Sequence, residues 1–389
     1  FWVLHLSSSG AVIKKKCFGG TDDDDAAAIG ITPDGRIMVA GTTYSNDGDV
    51  SGNHGTYETD VWVIALDTAL NLLSQKCIGG TDYEEGINMV ATSDNGCVIT
   101  GRSYSADGDV TGYHAGSDML VAKLSSSFSV EWAKCFGGSE TEEGNAIVQN
   151  ADGSYTVLGY TSTHNNGDVT GHYGASGMDD FWLLKLTSGG ILEWAKCYGG
   201  SGDDQANGLT KTIDGGYVMC GLTNSTDGQV SGFHTGMYAP DIWVAKVFSD
   251  GAFMWQRCCG GTDQDEGFSV YEETANVYVA TGFTYSVNYD VTGNHGSADG
   301  WIIRITAVLG EDELSQNILN VFPNPARDFI SFNPGFEGTI SITDMQGRIV
   351  FKTNNIGSGH ISLPSLTPGV YEFRLSTQDC VKCKTVLIY

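Results

Sequence analysis

Short apolar runs and short alternating stretches follow one another along the first three-quarters of the chain. Phe181-Trp182-Leu183-Leu184-Lys185-Leu186 and Leu192-Glu193-Trp194-Ala195-Lys196-Cys197-Tyr198 are examples, separated by Thr, Ser and Gly. Segments of this length, rich in aromatic and β-branched residues and bounded by turn formers, predict strands rather than helices. Between Ala146–Val148 and Tyr155–Gly159 the chain reads Ala151-Asp152-Gly153, and Asp-Gly supplies the positive φ that a tight hairpin needs. Helix-length amphipathic periods are absent from this part of the chain. The same unit returns at a fixed interval, marked by Cys-x-Gly-Gly at Cys17, Cys77, Cys135, Cys197 and Cys258, with spacings of 60, 58, 62 and 61 residues. Four short strands per unit is the pattern of propeller blades.

Counting each blade from its hairpin, the first complete copy has an inner pair, 26–32 and 36–42, and an outer pair, 61–66 and 70–78. Four complete blades then run from Ala26 to about Gly261. Two outer strands precede them (1–6 and 11–18), and an inner pair with a third strand follows (268–270, 277–283 and 301–306). Both remnants carry the same third strand, so they do not merge into one blade. This phase predicts residues ahead of Phe1 and a ring of about six blades, with five or seven as alternatives. The expected fold is all-β: a β-propeller of four-stranded blades over residues 1–308, a linker at 309–317, and a small Ig-like β-sandwich over 318–389.

Antiparallel pairing within a blade brings two polar segments of every unit to one face. One is the acidic stretch after Gly-Gly: Asp22 to Asp25, then Asp82, Glu84 and Glu85, then Glu140, Glu142 and Glu143, then Asp203 and Asp204, then Asp263, Asp265 and Glu266. The other is the long loop Asp47-Gly48-Asp49-Val50-Ser51-Gly52-Asn53-His54-Gly55 and its copies at 107–115, 166–174, 227–235 and 289–296. Carboxylates close together on glycine turns are the hard oxygen ligands that calcium takes. Asp47, Asp49, Asp107, Asp109, Asp168, Asp227 and Asp290 are therefore calcium candidates. The loops do not follow the twelve-residue helix-flanked calcium loop, and Gln229 replaces the second Asp in the fourth copy. Capping of loop backbone by the same Asp side chains, and by His54, His114, His234 and His295, is the structural alternative. One His per blade does not assemble a tetrahedral zinc site.

The balance of 47 Asp plus Glu against 20 Lys plus Arg gives a formal net charge of −27. Such a chain does not suit nucleic acid or anionic membrane surfaces, whose phosphates call for clustered Lys and Arg. No apolar run reaches the roughly 20 residues of a membrane-spanning helix. With 16 Phe, 8 Trp and 17 Tyr the chain can bury a sizeable core, and its 53 Gly against 7 Pro fit many tight turns. Cations and neutral sugars remain admissible ligands. One Cys per blade at an equivalent position places neighbours a blade apart, which predicts buried free thiols rather than disulfides. Cys380 and Cys383 read either as a local disulfide or as two strand residues. Nucleophile-elbow, zinc-protease and phosphate-loop motifs are all missing, and the acidic residues follow the repeat instead of breaking it. No catalytic residue is singled out.

The repeat stops at Leu309 to Asn317, and from about Ile318 short alternating strands resume with Asn, Pro and Gly between them. Four motifs follow in order: Val321-Phe322-Pro323-Asn324-Pro325-Ala326, Asp344-Met345-Gln346-Gly347-Arg348-Ile349-Val350, Leu366-Thr367-Pro368-Gly369-Val370-Tyr371, and a last strand with Lys382 and Lys384. This region resembles the type A C-terminal sorting domain of the type IX secretion system of the Bacteroidota. The resemblance implies Pro323, Asn324, Pro325, Asp344, Gly347, Arg348, Gly369, Tyr371, Lys382 and Lys384 as signal-motif residues. It further implies passage through the outer-membrane translocon, recognition by an outer-membrane shuttle protein, and an extracellular or outer-membrane-surface location. The chain ends in Leu387-Ile388-Tyr389, where members often end near a basic residue. The Trp-x-Lys-Cys-x-Gly-Gly run with its acidic residues, Asp-Gly hairpin and Gly-x-Thr is similar to bacterial propeller repeats of the SBBP type, a likeness that says little about function.

The sequence reading is thus a secreted surface propeller that acts as a binding or adhesion module for a glycan or protein ligand through its acidic loop face. A surface-structural or assembly subunit is the first alternative, and a polymer hydrolase the second.

Overall fold

The computed structural model describes residues 1–234, 239–307, 321–322, 329–332, 339–344, 348–354, 360–363, 366–376 and 381–388. The chain divides into two compact units, Phe1–Thr306 and Ala307–Tyr389.

The first unit opens with a hairpin of β1 (Trp2–Leu6) and β2 (Val12–Cys17). Four complete sheets follow. They comprise β3 (Asp24–Ile31), β4 (Ile37–Thr43), β5 (Asp60–Leu66) and β6 (Leu72–Ile78), then β7 (Glu84–Ala91), β8 (Cys97–Ser103), β9 (Asp118–Leu124) and β10 (Val130–Phe136). The third is β11 (Glu142–Gln149), β12 (Tyr155–Thr161), β13 (Asp180–Leu186) and β14 (Leu192–Tyr198), and the fourth is β15 (Asp204–Lys211), β16 (Tyr217–Thr223), β17 (Asp241–Val247) and β18 (Phe253–Cys259). A three-stranded sheet of β19 (Asp265–Thr274), β20 (Val277–Thr284) and β21 (Asp299–Thr306) ends the unit. Every sheet is an antiparallel meander in chain order. Each first strand packs on the first strands of the preceding sheet: β7 on β3 and β4, β11 on β7 and β8, β15 on β11 and β12, and β19 on β15 and β16. This is the blade arrangement expected from the repeat. The hairpin glycine predicted at 153 has φ +83°.

The third strands of the four complete sheets are buried along almost their whole length because both of their faces are covered, whereas β21 is exposed at alternate positions. Trp62, Trp182 and Trp243 are fully enclosed there, and the Nε1 atoms of Trp62 and Trp243 donate to Gln75 and Gln256 at 2.9 Å. Burying about 200 Å² of aromatic surface at about 25 cal/mol per Å² contributes on the order of 5 kcal/mol of gross transfer free energy per Trp. Each first strand carries a bulge, as between Gly86 and Asn88. Opposite it stands a glycine, Gly101, where a Cβ would overlap the Glu85 carbonyl oxygen.

Two sequence expectations need correction. The acidic stretch is not wholly a turn, since Asp24, Glu84, Glu142, Asp204 and Asp265 are the first residues of strands. Hydrogen bonding pulls them in: each accepts the amide of the second glycine of Cys-x-Gly-Gly, at 2.7–2.8 Å. Further bonds come from second-strand hydroxyls such as Ser103 and Thr161. The repeated cysteines are free and buried at Cys77, Cys135, Cys197 and Cys258, but Cys17 is exposed because β2 is covered on neither face. Burial pushes the Cys77 thiol up to about 12, so it stays protonated and inert.

In the second unit, β22 (Val321–Phe322), β23 (Phe329–Phe332) and β26 (His360–Ser362) form one sheet. β24 (Thr339–Asp344), β25 (Ile349–Asn354), β27 (Gly369–Ser376) and β28 (Val381–Ile388) form the other, in the order β25-β24-β27-β28. Ile361 from the first sheet shares one core with Ile340, Ile342, Tyr371, Phe373 and Ile388 from the second. The linker at 309–317 lies outside the described residues.

Candidate functional site: the acidic loop face

The two polar segments of each repeat do meet. Thr21 donates its amide to Asp47 Oδ1 at 2.8 Å and its hydroxyl to Oδ2 at 3.1 Å, and the Asp49 amide donates to the Gly19 carbonyl at 3.0 Å. Thr81 and Asp107 repeat this pairing at 2.8 and 2.9 Å, and the Ser201 amide donates to Asp227 at 2.7 Å. Asp47, Asp107 and Asp227 thus hold the turn after Gly-Gly.

The second set of aspartates points elsewhere. Asp49 and Asp168 lie 3.4 and 3.3 Å from the amides of Gly19 and Gly137. Asp109, Asp168 and Asp290 face the imidazole Nε2 of the preceding blade's histidine, His54, His114 and His234, at 4.0, 4.0 and 3.9 Å. Lys76 also reaches Asp109, at 3.3 Å. The seven calcium candidates are therefore spread over loop caps and interblade contacts. Among the described residues, no three His, Cys, Asp or Glu side chains gather as metal ligands.

Sequence reasoning missed the aspartate that heads the third strand of each complete sheet: Asp60, Asp118, Asp180 and Asp241, all fully buried. Its signal was a constant place just before an apolar run, as in Asp60-Val61-Trp62 and Asp241-Ile242-Trp243. Oδ2 of Asp60, Asp118 and Asp241 accepts Nδ1 of His54, His114 and His234 at 2.6, 2.8 and 2.9 Å, together with the same residue's amide. In the third blade the order His172-Tyr173 replaces this, and Asp180 accepts only the Tyr173 amide, at 2.7 Å.

The Oδ1 atoms of these four aspartates have no hydrogen-bond partner among the described residues. Each lies against the first glycine of Cys-x-Gly-Gly, and the acid of the next first strand approaches the same side of that glycine. A Cβ on Gly79 would overlap Asp60 and Glu84, and one on Gly199 would overlap Asp180 and Asp204. Two carboxyls so placed resist ionising together. Burial raises the affinity of Asp60, Glu84, Asp118 and Glu142 for protons, and His54 and His114 partly offset this for their aspartates. Asp180 lacks that imidazole bond, and burial pushes it and its neighbour Asp204 each up to about 7.

Outside this buried layer, the mouth of the loop face carries tyrosines in register. The amides of Tyr44, Tyr104 and Tyr285 donate to the carbonyls of Asp23, Tyr83 and Gln264 at 2.9–3.0 Å in the first, second and last sheets of the repeat, while Ser162 and Asn224 take the equivalent place in the third and fourth blades. Their side chains are 44, 38 and 42% exposed. Arg102 also breaks the repeat, bridging Glu85 at 2.6 Å and Glu143 at 3.1 Å beside the Tyr83 ring.

In the second unit, Arg348 returns to Asp344 through its side chain at 2.7 Å and its amide at 3.0 Å, closing the turn of the second motif. Gly369 opens β27, and Tyr371 is buried with its hydroxyl donating to the Thr367 carbonyl at 2.7 Å. Lys382 and Lys384 lie on β28, in register with Leu375 and Phe373. Pro323, Asn324, Pro325, Gly347 and Cys380 lie outside the described residues.

The chain is similar to proteins of diverse kinds. Regulatory protein FlaEY of Caulobacter vibrioides is 21% identical over 87% of this chain, which spans 39% of that protein's length. A gluconolactonase of Xanthomonas campestris is 10% identical, with a TM-score of 0.32 and coverage of 68% of this chain and 84% of that one. An apocarotenoid oxygenase of Synechocystis is also 10% identical, with a TM-score of 0.38 and coverage of 72% and 60%. Likenesses this distant decide neither chemistry nor ligand. Residues 320–389 match the secretion system C-terminal sorting domain, so the chain carries a type IX sorting signal and is exported to the cell surface or the extracellular space.

Proposed function

We propose that the propeller is a non-catalytic binding module that the sorting domain delivers to the cell exterior, and that its loop face takes a glycan. The observation that carries this reading is the set of half-exposed tyrosines at one repeat position, Tyr44 and Tyr104 on adjacent blades and Tyr285 on the last sheet, among turn carboxylates on a face held rigid by the Thr21–Asp47 type of cap. Tyrosine offers a flat apolar body and a polar tip, and neighbouring carboxylates accept hydrogen bonds from hydroxyl groups. The paired acids around Gly79 and Gly199 support the non-catalytic side, because Asp60, Glu84, Asp180 and Asp204 are sealed from solvent. The loop aspartates act as caps in this reading, and the sorting domain engages the type IX translocon and its shuttle protein. A screen of the full chain against glycans and polysaccharides, in calcium and in chelator, tests it. Saturable binding in both conditions is expected; binding lost in chelator would return the loop aspartates to calcium, and no binding would refute the glycan reading.

A second reading, an assembly subunit, draws on the exposed apolar positions Ile29 and Ile31 of β3 and Ile302 of β21. Concentration-dependent self-association in sedimentation would favour it.

A further inference from the structure

At each end of the first unit stands part of a blade, and the two parts are complementary. β1 and β2 occupy the place of an outer pair: the Phe1 ring packs against Trp62 at 4.6 Å, as Phe181 packs against Trp243 at 4.6 Å between complete sheets. Among the described residues, no inner pair stands beside them. The free edge of β1 borders an apolar cavity of about 570 Å³, lined by Val3, His5, Ile29, Ile31, Ile37 and Leu70 and by no residue of the last sheet. Ile29 is 62% exposed there, whereas Met89, Ile147 and Val270 at the same repeat position are 4–6% exposed. The repeat itself shows what covers this position, since Met89 shares a core with Met38 and Ala40 of the preceding sheet's inner pair. The group that fits the cavity is therefore an inner hairpin of the same repeat.

At the other end, β19 and β20 are an inner pair with a poor third strand. β21 carries Gly300 where the complete sheets carry Val61, Met119, Phe181 and Ile242, and it leaves Ile302 exposed. A glycine within a strand offers no side chain to pack. No fourth strand lies beyond β21 among the described residues. β1 has Phe1 at the same position and brings β2 as its fourth strand. Charge favours the same match. β2 holds Lys14, Lys15 and Lys16 without an acid, while β19 holds Asp265, Glu266, Glu272 and Glu273 without a base. Opposite charges of this kind steer encounter and suppress wrong partners.

We propose that these two ends are an interface between copies of this chain, joined head to tail. β19 and β20 of one molecule and β1 and β2 of the next form one complete blade, with β1 taking the edge of β20 from β21. A second copy is the occupant because within one chain β20 is paired with β21 along its whole length. Ile29 and Ile31 of the receiving molecule are then covered as Met89 is covered by β4. The contact is heterologous, so it propagates into rings or filaments. The proposal rests on the assembly reading above and supplies its contact.

The register of the complete sheets identifies a cross-link. Met38 is opposite Ala65 across β4 and β5, which places Val279 opposite His5 in the shared blade. A chain with Val279→Cys and a chain with His5→Cys, both with Cys17→Ser, are mixed under mild oxidation and resolved without reductant. A disulfide-linked dimer is expected in the mixture, with at least about tenfold less in either variant alone, because only directly paired strand positions meet the distance limit. In sedimentation velocity over a concentration series, Ile29→Lys is expected to weaken self-association at least about tenfold, since it places an unpaired charge in the contact. His5 and Ile29 are exposed in the single chain, and unchanged melting confirms that the variants fold. Self-association without the cross-link, or undiminished by Ile29→Lys, overturns the proposal and leaves the assembly reading standing. An internal disulfide at monomeric mass in a chain carrying both cysteines shows closure within one molecule and overturns it as well. A chain that stays monomeric throughout the concentration series removes the proposal and the assembly reading together.

Discussion

The carboxyl pair at the third seam gives the sharpest physical test. Asp180 and Asp204 are both fully buried and approach the same side of Gly199, and Asp180 lacks the imidazole bond that serves Asp60, Asp118 and Asp241. Burial holds each at about 7 against an ordinary value of 3.8. A shift of about three units corresponds to roughly 4 kcal/mol for the first group to ionise, at about 1.36 kcal/mol per unit. The sign follows from the raised folded-state value. The protonated form is the one the fold favours, so the contribution is fully present below about pH 4 and is lost as pH rises through about 7. Asp180→Asn keeps an oxygen for the Tyr173 amide and places an N–H toward Asp204, removing one ionisation from the pair. The variant is expected to gain on the order of 2–4 kcal/mol over the wild type at pH 8 and to gain little or nothing at pH 4. Urea unfolding followed by Trp fluorescence at pH 4, 6 and 8 measures this difference. A wild-type minus variant difference that does not change with pH would refute the reasoning.

Other expectations follow from the same geometry. Gly199→Ala or Gly79→Ala should lower stability by about 1–3 kcal/mol or more, since the added methyl meets two carboxylates that have no room to retreat; chemical denaturation reads the loss. Asp47→Ala with Asp49→Ala should cost about 1–2 kcal/mol from lost amide caps, with the same melting shift in calcium and in chelator; a shift confined to calcium would show that the loop holds a metal. Truncation after Ala307 should leave a propeller that is no longer exported, and normal secretion of the truncated chain would contradict the role of residues 320–389.

Much of the architecture was legible because the repeat is strict. Cys-x-Gly-Gly fixed the period, Asp152-Gly153 marked a hairpin, and the aromatic third strands marked the buried layer. The acids were harder to read. A sequence shows that Asp22 to Asp25 are polar but not that Asp24 turns inward onto the Gly20 amide while Asp22 stays in water, because that choice is made by Thr43 and Ser45 on the next strand. The buried Asp60 and its counterparts looked like ordinary strand starters. Their role depends on a histidine earlier in the loop and on a glycine a strand later, and alternation within one strand reports neither. Tyr44, Tyr104 and Tyr285 were not singled out from the sequence, because their exposure depends on lying just beyond the strand end, where alternation no longer sets the face.

The account rests most heavily on the tyrosine set as the binding surface. The decisive measurement is a titration of the tightest-binding glycan against the wild-type chain and the Tyr44→Ala/Tyr104→Ala/Tyr285→Ala variant, with melting curves as a control for folding. The account predicts a loss of affinity of at least about tenfold at unchanged melting temperature, from aromatic contacts of about 0.5–1.5 kcal/mol each. Undiminished binding by a folded triple variant would contradict it and place the recognition surface elsewhere on the molecule.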